Sequence, residues 1–487
     1  MIDLSKIKKI HFVGIGGAGM IPLVNLIQEK EKKIEISGSD IKDFPLRKKL
    51  EKRKIKIFLN HKKGNINSSN LVIYSSAINQ NNIEIKEAQK RKIPILHRFD
   101  FLLEILKNKK IIAISGSHGK STTSALLAYL LSKKKLSPTI YLGAKTKMWP
   151  LGSQWGKGEY AIIETDEHDA SFLKTNPFYS IILNVDNDHL DLYGPFQGKF
   201  NLLKEAFKKF ALQTQKNCII NFDDNYLKTF LKKKGIKEKL VTYSLQNKRA
   251  NIFAYNIQTF PFSKNRSYLT KACVLYKTQK YQLKLKIPSF INVSNTLAVI
   301  ALANLLNIEI KETLKIISQF PTIKRRFEIC SYKKITIVDD YAHHPKEIKA
   351  SLEIARLVFP KRLVFPKKRI ILTFEPHRFS RVALLYKDFA KSLKNCDYLF
   401  LLEIDPSNEK NYYSVSSQKI LKEILKNNYL KKEKVKLVDY STLEKEIFKI
   451  IKKNDVLIFM GPGKIGNFLL KFRKKYHKYF NYGFKRI

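Results

Sequence analysis

Short buried runs that break at a glycine or small polar residue and give way to a helical period recur along this chain. That alternation is its strongest constraint. KIHFVGIGGAGM is a strand entering a glycine-rich turn, and IPLVNLIQEKEKK after it has helical spacing. KIEISGSD reads as a second strand, ending in Ser39 and Asp40, and LVIYSSAI at 71–78 as a third. This order specifies a parallel sheet, because parallel neighbours need a crossover between them. The pattern restarts near residue 110 with IIAISGSHGKSTTSALLAYLLSKKK. It restarts again near 320 with KITIVDDYAHHP, RIILTFEP, DYLFLLEID and DVLIFMGPGKIGNF. The expected fold is α/β in three domains: a Rossmann-like unit at 1–99, a phosphate-loop α/β unit at 100–319, and a second Rossmann-like unit at 320–487. A length of 487 residues suits three domains of ordinary size.

Inside the middle unit, YAIIETD (160–166) and SIILNVDNDHLD (180–191) read as buried strands. Between 240 and 287 the pattern changes to short strands with polar loops, a β-rich section of the same domain, and SNTLAVIALANLL at 294–306 reads as a helix. RLVFPK at 356–361 is repeated at once at 362–367. This reads as a small tandem insertion in a surface loop, where extra length costs little.

Composition removes several function classes. Lys+Arg is 92 against Asp+Glu 42, a formal charge of +50. The excess is mostly lysine spread along the whole chain, with no clustered basic helix and no interleaved aromatics. Solvated surface lysines are expected, and no nucleic-acid partner. Cys218, Cys273, Cys330 and Cys396 are far apart, which excludes a sequence-local zinc site and a disulfide scaffold. MIDLSKIKKI lacks a signal-peptide core, and no apolar run approaches the ~18 residues of a membrane span. A cytoplasmic protein without membrane attachment is expected, as a monomer or weak homodimer.

The sharpest chemical signal is Gly116-Ser117-His118-Gly119-Lys120-Ser121-Thr122, between a strand and a helix. Glycines let backbone N–H groups approach a phosphate, and the helix N-terminus adds positive potential. Lys120 can reach β- and γ-phosphates, and the Ser121 hydroxyl can ligate Mg²⁺. The alternative is a plain glycine turn before an N-capped helix. Only two residues separate the glycines, fewer than in the usual phosphate loop. Glu164-Thr165-Asp166-Glu167-His168-Asp169 ends the next buried strand, where hard oxygen ligands suit Mg²⁺. Asp188-His189-Leu190-Asp191 ends another, and His189 is a candidate second-metal ligand. Gly14-Ile15-Gly16-Gly17-Ala18-Gly19-Met20 suits a diphosphate at a helix N-terminus, though many such turns need glycine only for shape. Asp40 either accepts a ribose hydroxyl or caps a turn. Asp340-Tyr341-Ala342-His343-His344-Pro345 ends one strand, and Pro376-His377-Arg378-Phe379-Ser380-Arg381 follows another. Two nearby arginines can fork a carboxylate or phosphate, or form an exposed basic turn. Adjacent histidines seldom face one ion, so no metal is expected there.

Taken in order, HFVGIGGAGM, SGSD, YSSAI, GSHGKSTT, ETDEHDASFL, NVDNDHLD, RRFE, DDYAHHP, EPHRFSR and MGPGKIG resemble the Mur ligase family over nearly the whole chain. GIGGAGM and DASFL look like its alanine-adding branch. They fit less well to the murein-peptide ligases, the alternative branch, which attach a peptide. The resemblance implies a UDP-binding domain, a central ATPase domain and a C-terminal domain carrying amino-acid contacts. It implies ATP and two Mg²⁺ ions, with UDP-N-acetylmuramate and L-alanine as substrates. The lactoyl carboxylate would take the γ-phosphoryl group, and the alanine amine would then displace phosphate. By resemblance, Ser121 and Glu164 hold one metal, and Glu164 with His189 the other. Asn292 and Asn295 lie near adenine, Asp340 near ribose and Arg326 near the phosphates. Tyr341, His343, His377, Arg378 and Arg381 line the alanine and acyl-phosphate region, with Arg381 gripping the alanine carboxylate. Gly16, Gly17 and Gly19 approach the UDP diphosphate, with Ser76 nearby. No side chain stands out as the base that frees the alanine amine.

The chain departs from the family pattern at Ile291, Ser289, Ile323-Lys324 and Asp405-Pro406. Phe207 stands where several other Mur ligases carry a carbamylated lysine, as in the alanine-adding branch. A decayed enzyme that binds without turnover is the remaining alternative, and the intact Lys120, Ser121, Glu164 and His189 argue against it.

Overall fold

The computed structural model describes residues 3–143, 146–167, 170–186, 200–262, 267–287, 290–321, 323–332, 334–359, 368–407 and 409–482. The chain forms two compact units. One comprises Met1–Tyr255, Val274–Tyr281 and Ser294–Ile317, and the other Asn256–Cys273, Gln282–Val293 and Ser318–Ile487.

The first unit opens with a five-stranded sheet. Its strands are β1 (Lys9–Val13), β2 (Glu35–Ser39), β3 (Lys56–Phe58), β4 (Leu71–Tyr74) and β5 (Ile95–His97), in the order β3-β2-β1-β4-β5. All pairs are parallel. Its helices are α1 (Met20–Lys30), α2 (Arg47–Glu51), α3 (Ile83–Lys90) and α4 (Arg98–Ile105). Pro22 falls in the first turn of α1, where its missing N–H costs no helical bond.

A second sheet follows, with β6 (Lys110–Ser115), α5 (Lys120–Lys133), β7 (Thr139–Tyr141), β8 (Ser153–Gln154), β9 (Tyr160–Glu164), β10 (Tyr179–Ile182), α6 (Phe200–Gln213), β11 (Asn217–Asn221) and β12 (Leu240–Ser244). Strands β12-β11-β10-β6-β9-β7 are consecutive and parallel, and the short β8 pairs antiparallel with β7. The β-rich section expected at 240–287 is β13 (Ile252–Phe262), β14 (Ser267–Tyr276) and β15 (Gln279–Leu285), with β13 entering in parallel beside β12. Helices α7 (Phe290–Leu305) and α8 (Ile310–Ile317) follow. The strand expected at 180–191 is shorter: β10 ends at Ile182, and the chain from Leu183 leaves the ladder to meet the turn after β6.

The second unit carries β16 (Glu328–Ser331), β17 (Thr336–Asp340), α9 (Pro345–Val358), β18 (Ile370–Phe374), α10 (Phe379–Ser392), β19 (Tyr398–Leu401), α11 (Ser417–Lys426), β20 (Val435–Leu437), α12 (Leu443–Ile450), β21 (Val456–Met460) and α13 (Ile465–Tyr482). The order is β16-β17-β21-β18-β19-β20, with only β16 antiparallel. Strands β17, β18 and β21 are buried along their whole length, as expected of parallel strands covered on both faces. The repeat at 356–367 corrects the loop expectation. Arg356, Leu357 and Val358 of its first copy form the last turn of α9, Val358 and Phe359 are buried, and Arg356 pairs with Asp397 at 2.8 Å. Val358 and Phe359 enter the core of the second unit, so the start of this copy extends α9, while its Pro360 and Lys361 lie outside the described residues. The second copy lies outside the described residues. No helix among the described residues is long and apolar enough to cross a membrane.

In the first unit the two sheets share one apolar core, running from Ile10, Phe12 and Leu102 to Ala113, Ile163 and Phe207. Polar contacts fix α1 to β8 across it. Asn25 Nδ2 donates to Ser153 O at 3.1 Å and to its Oγ at 3.0 Å, and Ser153 Oγ donates to Pro22 O at 2.8 Å. Asn25 Oδ1 accepts from Arg53. Asn25→Ala leaves buried polar atoms without partners, so a loss of about 1–3 kcal/mol is expected in urea unfolding. An unchanged midpoint would show that this contact does not hold the sheets together.

Candidate active site

The loop from β6 to α5 is built by two glycines with positive φ, Gly116 at 128° and Gly119 at 90°. Gly119 is the N-cap of α5, and a Cβ there would lie 2.6 Å from the Asn295 carboxamide oxygen. Its left-handed backbone and that close approach both require glycine. The loop is pinned to the segment after β10. Ser117 N–H donates to Asn184 O at 3.1 Å, and His118 N–H to Asn184 Oδ1 at 2.8 Å. Asn184 Nδ2 returns a bond to His118 O at 3.0 Å. Ser117 Oγ accepts from Asp186 N–H at 2.9 Å, and His118 Nε2 lies 3.3 Å from Asp186 Oδ2. Two N–H groups expected to wrap a phosphate are therefore committed to Asn184. The first turn of α5, with Lys120, Ser121 and Thr122, carries the remaining positive potential.

Lys120 Nζ donates to both oxygens of Glu167, at 3.0 and 2.8 Å, and Glu167 is fully buried. Burial alone would lower the pKa of this ammonium. Glu167, then Asp166, outweigh it and hold the pKa above the ordinary lysine value. Ser121 Oγ donates to Glu164 Oε1 at 2.9 Å, and Gly143 N–H to Glu164 Oε2 at 2.8 Å. A hydroxyl and a carboxylate at this separation, beside a lysine and a helix N-terminus, are hard oxygen donors that fit Mg²⁺. The third expected ligand, His189, lies outside the described residues, as do Asp188, Asp191, His168 and Asp169. Asn295 is buried in α7, and Asn292 lies one turn earlier on the same helix face. Phe207 is buried against Phe172, with ring centroids 5.1 Å apart.

The other glycine turn lies between β1 and α1. Gly14 and Ile15 N–H groups donate to Ser39 O, and Gly16 N–H to Asp40 Oδ2 at 3.0 Å. Asp40 also accepts from Lys42 N–H, so this carboxylate is a turn cap in the structure. Gly17 N–H donates to Gly14 O at 3.1 Å, and Gly19 is the N-cap of α1. Ser39 Oγ donates to buried Glu84 at 2.6 Å, which also accepts from Asn65 and faces His61 at 2.7 Å and His11 at 3.6 Å. Burial pushes the Glu84 pKa up, but the His11 and Ser39 contacts outweigh it and bring it down to about 2. The carboxylate thus stays charged and fixes the strand end that carries the turn.

In the second unit, residues from three chain segments come together: Arg326 before β16, the segment after β17, and the segment after β18, with β21 lying between β17 and β18. The Tyr341 and His343 rings are 5.5 Å apart, and the His343 and His377 rings 6.0 Å. The Arg326 guanidinium lies 5.1 Å from the Tyr341 ring centroid. Arg378, at φ 70°, is the N-cap of α10, and its N–H donates to Asp405 O at 2.9 Å. Arg381 is buried in the first turn of that helix. The paired histidines diverge, as expected. His343 Nδ1 lies 3.0 Å from Tyr341 O, while His344 caps α9. Asp340 is buried and accepts from Ser351 Oγ and from Ala342 N–H. Burial pushes its carboxyl up to about 6, against the Ser351 hydroxyl and Arg326.

Three family patterns match the chain: "Mur ligase family, catalytic domain" over residues 9–110, "Mur ligase middle domain" over 114–303, and "Mur ligase, glutamate ligase domain" over 325–463. The UDP-N-acetylmuramate–L-alanine ligase of Aquifex aeolicus is 34% identical over 474 residues, 96% of this chain and 98% of its own. That of Rickettsia felis is 34% identical over 464 residues, 95% of each. The crystal structure of UDP-N-acetylmuramate-alanine ligase MurC from Thermotoga maritima superposes with a TM-score of 0.80 at 29% identity, covering 96% of this chain and 99% of that one. A murein peptide ligase from Psychrobacter arcticus shares the fold, with a TM-score of 0.69 at 19% identity, covering 96% and 98%.

The raised Asp340 pKa has a signed consequence. The folded state binds its proton more tightly than the unfolded chain, so this group costs stability at neutral pH and the cost disappears as pH falls from about 6 to about 4. A rise from 3.8 to about 6 corresponds to about 3 kcal/mol. Asp340→Asn removes the titration. The stability of the variant relative to the unsubstituted protein is expected to fall by about 2–3 kcal/mol from pH 8 to pH 4 in denaturant melts. A pH-independent difference would show that the carboxyl is not raised.

Proposed function

The chain belongs to the Mur ligase family, and from that premise we propose how its residues share one reaction. The reaction joins L-alanine to the lactoyl carboxylate of UDP-N-acetylmuramate at the expense of ATP, in peptidoglycan precursor synthesis. The observation that carries the assignment of roles is the clustering of Lys120, Ser121 and Glu164 at the N-terminus of α5.

A carboxylate and a triphosphate repel, so cationic groups must hold them together before a bond can form. Lys120 supplies one such charge, and Glu167 keeps it protonated. A lactoyl oxygen attacks the γ-phosphorus and ADP leaves, giving an acyl phosphate. The neutral alanine amine attacks the acyl carbon, and the amide forms as phosphate departs. Ser121 and Glu164, with His189, would hold Mg²⁺, which when bound neutralises phosphate charge. Two ions suit this donor set.

Gly116, Ser117, His118, Gly119 and Thr122 form the ATP loop. Asn292 and Asn295 serve adenine, Asp340 ribose and Arg326 phosphate. Gly16, Gly17, Gly19, Asp40 and Ser76 receive the UDP portion. Tyr341, His343, His377 and Arg378 serve the alanine and acyl phosphate, and Arg381 the alanine carboxylate. This divides the chain into a UDP-sugar domain at 1–99, an ATP domain at 100–319 and an amino-acid domain at 320–487. The lysine-rich surface is assigned to solvation, with small molecules rather than nucleic acid as partners. Cytoplasmic location and a monomer or weak homodimer complete the reading.

Phosphate release by the pure protein is expected to require ATP, Mg²⁺, UDP-N-acetylmuramate and L-alanine together. Lys120→Ala is expected to lower kcat at least about 100-fold, the scale of losing one preorganised electrostatic contact to the transition state. Near-normal turnover in that variant would remove the assignment of the loop.

A further inference from the structure

Arg98 opens α4, directly after His97, the last residue of β5. Two hydrogen bonds help to fasten its guanidinium. Nε donates to Ser76 Oγ at 3.1 Å, and Nη1 to Tyr141 OH at 3.3 Å. Tyr141 OH in turn donates to Gly19 O at 2.8 Å, and Ser76 Oγ lies 2.9 Å from His97 Nε2. These contacts draw together the ends of β4 and β5, the end of β7 and the start of α1.

Gly19 shows how closely the guanidinium is held. Its backbone, at φ −84° and ψ −16°, is open to any residue, so conformation does not ask for glycine. A Cβ there would lie 2.5 Å from Arg98 Nη1 and 3.1 Å from Tyr141 OH. The guanidinium tip occupies that space, and a side chain there would have to push it aside. Helix N-termini favour anions, and cations favour the opposite end. A guanidinium beside the N-cap of α1 adds to the positive potential of that helix end, and both groups attract an anion.

We infer that Arg98 is a further substrate-binding residue, whose guanidinium grips the diphosphate of the nucleotide sugar at the Gly16–Gly19 turn. Ser76 and Tyr141 are its positioning residues. The inference rests on the reading of that turn as the diphosphate site. Arginine suits the task, since its planar fork can bond two phosphate oxygens while another edge stays anchored.

The test is calorimetric binding of UDP-N-acetylmuramate, of UDP-N-acetylglucosamine (the same diphosphate without the lactoyl acid) and of uridine. The proteins are the unsubstituted chain, Arg98→Gln, Arg98→Lys and Tyr141→Phe. Arg98→Gln is expected to weaken both sugar nucleotides equally, about 10- to 100-fold, with uridine affinity retained within about twofold. Arg98→Lys should recover part of the loss, and keeps the test open should the glutamine variant fail to fold. Tyr141→Phe should weaken both sugar nucleotides by about 3- to 10-fold through a less firmly held Arg98. A loss confined to UDP-N-acetylmuramate would put Arg98 on the lactoyl acid and overturn the inference, as would unchanged affinity for both. If the unsubstituted chain bound neither sugar nucleotide, the diphosphate reading of the turn would fall first and the inference with it.

Discussion

The ammonium of Lys120, held 2.8 Å from a fully buried carboxylate at the start of α5, is the interaction on which the rest of the site depends. A reaction between two anions needs positive charge that cannot leave. Burial by itself lowers the pKa of this lysine, and the Glu167 pair with Asp166 more than reverses it. The pair also fixes the direction of a long, flexible side chain before any nucleotide is present. In the proposed reaction an arriving γ-phosphate would compete with Glu167 for an ammonium that is already charged and already placed.

The frame around that lysine is rigid because neighbouring strands share one buried core. Strands β6, β9 and β10 lie side by side, so Gly116, Glu164 and Asn184 emerge at one end of the sheet. Strand β7 lies next to β9 and contributes at two places within three residues. Tyr141 OH reaches the glycine turn before α1, and Gly143 N–H holds Glu164. The glycine turn before α1 and the Glu164 carboxylate are thus tied to one short segment, with both sheets packed on a common apolar cluster.

Much of this was legible in sequence. A strand, a glycine turn and a helix beginning Lys-Ser determine their own geometry locally, so the loop at 116–122 stands where its residues imply. Glu164 was found for the same reason, as an acid at the end of a buried strand. Asp40 was readable as a ribose contact or a turn cap, and in the structure its carboxylate accepts from Gly16 and Lys42 N–H. The contacts of Asn184, Glu167 and Arg98 were not legible. Each depends on residues 22 to 79 positions away, and no local pattern encodes which amide or guanidinium will meet which loop. The repeat at 356–367 misled for a related reason. Duplication looks like an insertion, yet its first copy supplies apolar residues that a helix end can bury.

The most direct test is transfer of isotope from the substrate acid. UDP-N-acetylmuramate labelled with ¹⁸O in its lactoyl carboxylate would be turned over with ATP, Mg²⁺ and L-alanine, and the released phosphate weighed by mass spectrometry. If the carboxylate attacks the phosphate held at the start of α5, a carboxylate oxygen must leave with that phosphate, so each phosphate released carries label. Amide formation with unlabelled phosphate would contradict carboxylate phosphorylation, and with it the role assigned to Lys120.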